Sequence, residues 1–256
     1  MSALLEAGGL HLSFGAVRAL DDVAIAIWPG EVVAIVGESG SGKSSLLRVL
    51  AGMQRAGAGE VLYRDATGAT HSILEASDAA LRRLMRSDWG FVHQNARDAL
   101  RMEISAGGNV GERLMAAGNR HYGNIRETAA HWLERVEMDP ARIDESPKNF
   151  SGGMQQRLQI ARTLVTNPRL VFMDEPTGGL DVSVQARLLD LIRGLVADLG
   201  LAVLLVTHDI AAARLLAHRI VVMRNGQVVE EGLTDRVLDD PQHPYTQLLV
   251  SSVLAA

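Results

Sequence analysis

The chain has 256 residues, no cysteine and a formal charge of −5, with 47% apolar and 21% charged residues. That composition is ordinary for a globular protein of one large or two small domains. It excludes disulfides, thiolate metal sites and iron–sulfur clusters, and with no long basic block it argues against a nucleic-acid partner. The opening residues lack a basic stretch ahead of an apolar core, so no signal peptide is expected. No apolar run reaches the eighteen or so residues of a membrane span. A soluble, cytoplasmic protein is expected, with any membrane role left to a partner.

Taken in chain order, residues 9–14, 23–28 and 31–36 read as short strands, with a turn at Pro29-Gly30. Phe14 is either a core aromatic or a platform for a base. The third strand runs into Gly37-Glu38-Ser39-Gly40-Ser41-Gly42-Lys43-Ser44, which fits the Walker A pattern and is followed by a helix from Ser45. The glycines let successive N–H groups point into one anion-binding concavity, and the helix adds the positive end of its dipole. Lys43 can reach the β- and γ-phosphates, and the Ser44 hydroxyl can ligate Mg²⁺. A strand at 59–64, a helix at 77–86 and a strand-like run from Trp89 to Gln94 follow.

Between 95 and 149 the texture turns helical. Ile125, Ala129, Trp132, Leu133 and Val136 share one helical face. A shorter helix spans 109–117, and loops are expected at 98–108 and 139–149. Ser151-Gly152-Gly153-Met154-Gln155 then opens a helix running to Val165. It is a second phosphate-binding loop or simply a serine cap with flexible glycines. A buried strand at 170–175 ends in Asp174 and Glu175, and a loop through Asp181 leads into a helix at 182–199. The apolar strand 201–206 ends in Thr207-His208-Asp209. Strands at 220–223 and 227–230 flank an Asn225-Gly226 hairpin turn, and a last apolar helix follows His243-Pro244-Tyr245-Thr246.

Strands separated by helices imply a parallel sheet, whose ligands sit at the carboxyl ends of the strands. Walker A, Asp174-Glu175, His208 and Gln94 each follow such an end. Phosphoryl transfer to water needs a metal, an oriented water and stabilised γ-phosphate charge. Asp174 would hold Mg²⁺ through water, Glu175 would activate the attacking water, His208 would donate to the γ-phosphate, and Gln94 would contact both metal and water. Each has a plainer reading alone: an acidic strand cap, or a packed histidine.

The order Walker A, Gln94, S-G-G-x-Q, Asp-Glu, His resembles the ATPase domains of the ATP-binding cassette (ABC) family. The resemblance implies an α/β P-loop NTPase: a mainly parallel core, an N-terminal antiparallel β subdomain and an inserted helical subdomain. It implies one domain over 1–256. Residues 1–94 would carry the β subdomain and the Walker A part of the core, and 95–150 the helical subdomain. Residues 151–232 would carry the rest of the core, and 233–256 a C-terminal helical extension. It further implies an ATPase with Mg²⁺ and ATP, working as a head-to-tail homodimer. ATP would lie between one subunit's loop, Gly37 through Ser45, and the other's Ser151, Gly152, Gly153 and Gln155. Phe14 would then support adenine, and Asp181 would signal across the interface.

The His-Pro-Tyr-Thr tail, Gly37-Glu38-Ser39-Gly40 and Gly179-Leu180-Asp181-Val182-Ser183 look like the oligopeptide and nickel importer ATPases. The chain lacks their C-terminal cysteines, and after Gln94 it lacks their Leu-Asn-Pro turn. Arg82-Arg83-Leu84, 105–115, His121-Tyr122-Gly123, 150–158 and 237–253 resemble the K-subunit family of carbon–phosphorus lyase systems for phosphonate utilisation, over about Trp28 to Leu254. That resemblance implies docking on a soluble lyase core, with a second ABC subunit as a further partner. The alternatives are an importer ATPase with membrane subunits and a nucleic-acid or ribosome ATPase. Against the last, the gap from Lys43 to Ser151 leaves no room for a long coiled coil, and only one cassette is present.

Overall fold

The computed structural model describes residues 2–254. Met1, Ala255 and Ala256, at the ends of the anticipated 1–256 domain, lie outside the described residues. The chain forms two compact units, Met1–Leu81 with Gly200–Ala256, and Arg82–Leu199.

The first unit holds an antiparallel sheet in the order β2 (Val17–Ile27), β1 (Leu5–Phe14), β4 (Ala58–Arg64), β5 (Thr70–Ser72). β1 starts four residues earlier than the sequence suggests. Its pairing with β2 shifts register between Ala7 and Leu10, so the Gly8-Gly9 pair interrupts an alternation that continues on either side. β2 likewise reaches back to Val17 through Asp22, which takes a φ of 58°.

In the same unit β3 (Val32–Val36) runs parallel to both β8 (Ala202–Val206) and β9 (Arg219–Arg224). Every residue of β3 and β8 is buried, which is why both read as unbroken apolar runs. β10 (Gln227–Leu233) pairs antiparallel with β9 across the Asn225-Gly226 turn. Helix α1 (Lys43–Leu50) buries Leu46, Leu47, Val49 and Leu50. Junction helix α2 (Asp78–Ser87) is mostly exposed.

The second unit contains β6 (Trp89–Val92), parallel to β7 (Leu170–Asp174), with the Trp89 and Phe172 rings edge to face at 5.4 Å. Around them lie α3 (Ala106–Ala116), α4 (Tyr122–Arg135), α5 (Gly152–Leu164) and α6 (Val182–Leu199). α3 starts before residue 109 because Ser105 caps it, accepting the Gly108 N–H. Gly107 discourages a helix by propensity, yet a Cβ there would lie 2.5 Å from Ile143 Cγ1. The expected loop at 139–149 contains two capped 3-10 turns, Pro140–Asp144 and Pro147–Asn149, and a third, Ala96–Asp98, ends where the loop expected at 98–108 begins.

Three further helices belong to the first unit: α7 (Ile210–Leu216), α8 (Thr234–Asp239) and α9 (Pro244–Leu254). The sequence signalled only the last. In both units the buried strands run parallel. Among the described residues antiparallel pairing is confined to the N-terminal sheet and the β9–β10 edge, so the fold is α/β with a mainly parallel core, as the resemblance implies. No helix among the described residues is long and apolar enough to cross a membrane.

Candidate functional site

In the first unit the carboxyl end of β3 passes into the loop from Gly37 to Gly42, and α1 begins at Lys43. Gly37, Gly40 and Gly42 take φ values of 148°, 81° and 104°. Two of them are also fixed by contact. A Cβ on Gly37 would sit 2.2 Å from Met223 O, and one on Gly42 2.3 Å from Ala19 O. Backbone carbonyls cannot yield as a flexible side chain can, so both positions must stay bare.

Glu38, Ser39 and Gly40 face solvent, Ser41 and Lys43 are buried, and Ser44 and Ser45 are half-buried on the first turn of α1. No side chain caps α1 and no acidic residue sits in its first turn, so its dipole is left to attract an anion. Lys43 Nζ donates to Gly37 O at 2.8 Å and Glu38 O at 2.7 Å. Ser41 Oγ is buried with no hydrogen-bond partner among the described residues, the kind of orphaned polar atom a bound phosphate or its water satisfies. A loop of this shape with a buried ammonium and a half-buried hydroxyl fits a magnesium nucleotide.

His208 is exposed just past β8, the strand beside β3. Thr207 Oγ1 accepts the Asp209 N–H at 3.0 Å, and Asp209 caps α7 by accepting from Ala211 and Ala212. The histidine is thus carried on a turn pinned from both sides, at the same sheet edge as the Walker A loop. Phe14 is 53% exposed at the β1–β2 turn. That removes the core reading and leaves the ring available to a ligand.

In the second unit β7 ends in Asp174, which is 7% exposed. Glu175 follows with a φ of 44°, a left-handed conformation rare for glutamate, closed by a 2.9 Å bond from the Gly178 N–H to its carbonyl. Gln94 Nε2 donates to Glu175 Oε2 at 3.0 Å. The two residues that sequence reasoning assigned to the attacking water are therefore in direct contact.

Gln94 is aimed by its neighbour. β6 stops at Val92, and the next backbone unit is gripped by α5. Gln159 Oε1 accepts the His93 N–H at 2.8 Å, Gln159 Nε2 donates to His93 O at 3.0 Å, and Gln156 Nε2 donates there at 3.1 Å. Sequence reasoning missed this pair. Two glutamines three residues apart on the buried face of a helix were the available signal.

Ser151 is exposed and caps α5, its Oγ accepting the Met154 N–H at 3.4 Å, so the plainer capping reading is realised too. Gly153 packs so that a Cβ would meet Val184 Cγ1 at 2.6 Å. Gln155 is turned inward, its amide donating to Pro147 O and Phe150 O. Its side chain shapes the loop and is spent on the protein. Asp181 is exposed at the start of α6, its carbonyl accepting from Val184 and Gln185.

A cavity of about 430 Å³ is lined by Gln94, Arg97, Gly152, Gln155, Gly178 and Leu180. Ser151 lines a different one, of about 400 Å³, with Gly153, Arg142, Arg157 and Arg187. Glu137 and Asp139 share that lining, and two of its arginines are already paired, Arg142 with Glu145 at 2.7 Å and Arg157 with Glu137 at 2.6 Å.

The ABC transporter family model matches residues 20–178. The chain is 61% identical, over 98% of both sequences, to a protein of Escherichia coli (strain K12) named for phosphonates utilization and ATP binding, PhnK. It is 38% identical, over 98% of itself and 77% of the relative, to a protein of Brucella melitensis biotype 1 named for peptide import and ATP binding. Among solved structures it matches a dimeric ATP-binding cassette in a post-hydrolysis state with ADP and Pi. That match has a TM-score of 0.80 and 30% identity over 90% of this chain and 98% of the other. A phosphate loop, a paired glutamine and glutamate at parallel strand ends, and these matches together make the chain a member of the ABC transporter family of ATP-binding cassettes.

Proposed function

We propose that the chain is a Mg²⁺-dependent ATPase of phosphonate utilisation that acts as one cassette domain over 1–256 and docks on a carbon–phosphorus lyase core. The observation that carries this reading is 61% identity across 98% of both chains to the phosphonates-utilization relative, against 38% to the peptide-import one.

In this reading the Walker A N–H groups, Lys43, Ser44 and Ser45 bind the nucleotide phosphates. Asp174, Ser44 and Gln94 hold the metal, and Phe14 supports the adenine. A Mg²⁺ ion held by these residues would supply neutralisation of the charge that develops in phosphoryl transfer. Glu175 accepts the proton of the attacking water, and Gln94 fixes the carboxylate that does so. General-base catalysis is worth roughly 10²–10⁴-fold, so its loss falls on turnover rather than binding. His208 donates to the γ-phosphate. Two chains pair head to tail, with Ser151, Gly152 and Gly153 of one closing over the nucleotide of the other and Asp181 linking the two sites. A dimer is consistent with the dimeric cassette that the fold matches.

ATP-driven closure can work on a partner only through the partner's different affinity for the open and closed dimer. The docking surface lies on the helical lobe near 97–109 and 122–132, where Arg97 is exposed, Tyr122 is 73% exposed and Arg101 pairs with Glu112 at 2.7 Å. The partners are lyase core subunits and a second ABC subunit.

The test is metabolic. Cells carrying Glu175→Gln should take up labelled phosphonate and leave it uncleaved. Loss of uptake itself would overturn the lyase reading and restore the importer one, which the peptide-import relative favours.

A further inference from the structure

The tail His243-Pro244-Tyr245-Thr246 has no part in the ATP chemistry above, yet its tyrosine reaches the phosphate loop. Tyr245 is 4% exposed on the first turn of α9, and its hydroxyl accepts the Glu38 N–H at 2.9 Å. That N–H belongs to the peptide joining Gly37 to Glu38. The carbonyl of the same peptide, Gly37 O, is the one that accepts Lys43 Nζ at 2.8 Å. A trans peptide is planar, with its N–H and C=O pointing opposite ways, so holding one end aims the other. Gly37, at a φ of 148°, offers little steric resistance to rotation of that plane. The phenol oxygen supplies the constraint that the glycine lacks.

The tyrosine is itself anchored. The Arg224 guanidinium lies 4.8 Å from its ring centroid, a cation–π contact. Ahead of α9, the Glu230 carboxylate on β10 accepts the Gln242 N–H at 2.8 Å and the His243 N–H at 3.0 Å. His243 Nδ1 then accepts the Tyr245 N–H at 3.1 Å. An unbroken line of hydrogen bonds and one helix turn thus joins β10 to the loop, all within the first unit.

We propose that Tyr245 is a positioning residue for the Walker A loop. Its hydroxyl fixes the Gly37–Glu38 peptide plane and keeps Lys43 laid along the loop, so that the C-terminal helix sets the affinity for nucleotide phosphates. The proposal rests on the ATP-site reading, and the test separates the two.

Full-length Tyr245→Phe removes one oxygen and keeps the ring. Mg-ATP and Mg-ADP are titrated calorimetrically into parent and variant, and steady-state hydrolysis is measured alongside thermal melting. Both Kd values and KM should rise about 5–10-fold, the scale of one lost hydrogen bond to an otherwise paired backbone donor. The loss should fall on KM rather than kcat, because bound phosphates then hold the loop through their own contacts. A merely structural tail would lower Tm and leave Kd unmoved.

Glu230→Ala cuts the tether further back. It should raise Kd in the parent background and add nothing in the Tyr245→Phe background, as members of one line of contacts do. Unchanged Kd in a Tyr245→Phe protein that binds nucleotide overturns the proposal, as do fully additive effects of the two variants. A parent protein that binds no nucleotide would instead sink the ATP-site reading beneath it.

Discussion

Gln159→Leu tests the grip of α5 on the strand that carries Gln94. Gln159 is fully buried, and the substitution removes its bonds to His93 N and His93 O and its bond to Gln156 Oε1. At about 1 kcal/mol each these amount to about 3 kcal/mol, and the added apolar surface returns about 1 kcal/mol. A net loss of about 2 kcal/mol should lower the melting temperature of a chain this long by about 4–8 °C. The kinetic effect should be larger than the stability effect, because Gln94 follows His93 directly and holds the Glu175 carboxylate at 3.0 Å. We expect kcat to fall at least about tenfold in protein that is fully folded at the assay temperature, since a misplacement of about 1 Å is enough for such losses. ATP affinity should fall less than turnover, because Lys43 and the Walker A N–H groups, the main phosphate contacts in the proposed reading, are left unchanged by the substitution. Circular dichroism melting, calorimetric ATP binding and phosphate release measure the three quantities. A variant that melts within a degree or so of the parent and turns over at the parent rate would refute the argument.

Four further substitutions, the last two used as a pair, test the assigned roles. Glu175→Gln should bind ATP with parental affinity while phosphate release drops by roughly 10²-fold or more, and a parental rate would remove the carboxylate as base. Phe14→Ala should weaken nucleotide binding by about 1–3 kcal/mol if the exposed ring stacks on adenine, as read by calorimetry on the folded variant. Lys43→Ala should lose ATP binding and Ser151→Arg should lose hydrolysis, yet mixed chains should regain some ATPase. A two-fold pairing leaves one composite site intact, and recovery in neither binding nor hydrolysis would count against the sandwich once obligatory firing of both sites is excluded.

The parts of this molecule that were legible in advance are those where one local rule dominates. β3 and β8 are buried on both faces, so nothing interrupts their apolar runs. The Walker A pattern is written in consecutive residues. Legibility fails where tertiary packing overrides a local preference. Gly9 looked like the start of a strand and instead, with Gly8, interrupts the register inside one. Gly107 and Gly108 looked like loop and stand in α3, where Ile143 leaves no room for a side chain at 107. Gln155 carried a ligand role from its place in the motif, but direction is not encoded in order, and its amide faces Pro147 and Phe150. The Gln159 and Tyr245 contacts span 66 and 207 residues of chain, so no window of sequence could contain them.

The left-handed backbone of Glu175 has an evolutionary reading. Holding a side chain that is neither glycine nor asparagine at a φ of 44° costs about 1 kcal/mol or more, and Glu175→Gly would recover part of it. With Glu175 as the proposed base, selection for stability and selection for turnover pull this position in opposite directions. In a lineage that kept nucleotide binding but abandoned hydrolysis, Glu175 should drift early. Gly37 and Gly42 should outlast it, because the carbonyls of Met223 and Ala19 would penalise their replacement whether or not ATP is ever cleaved.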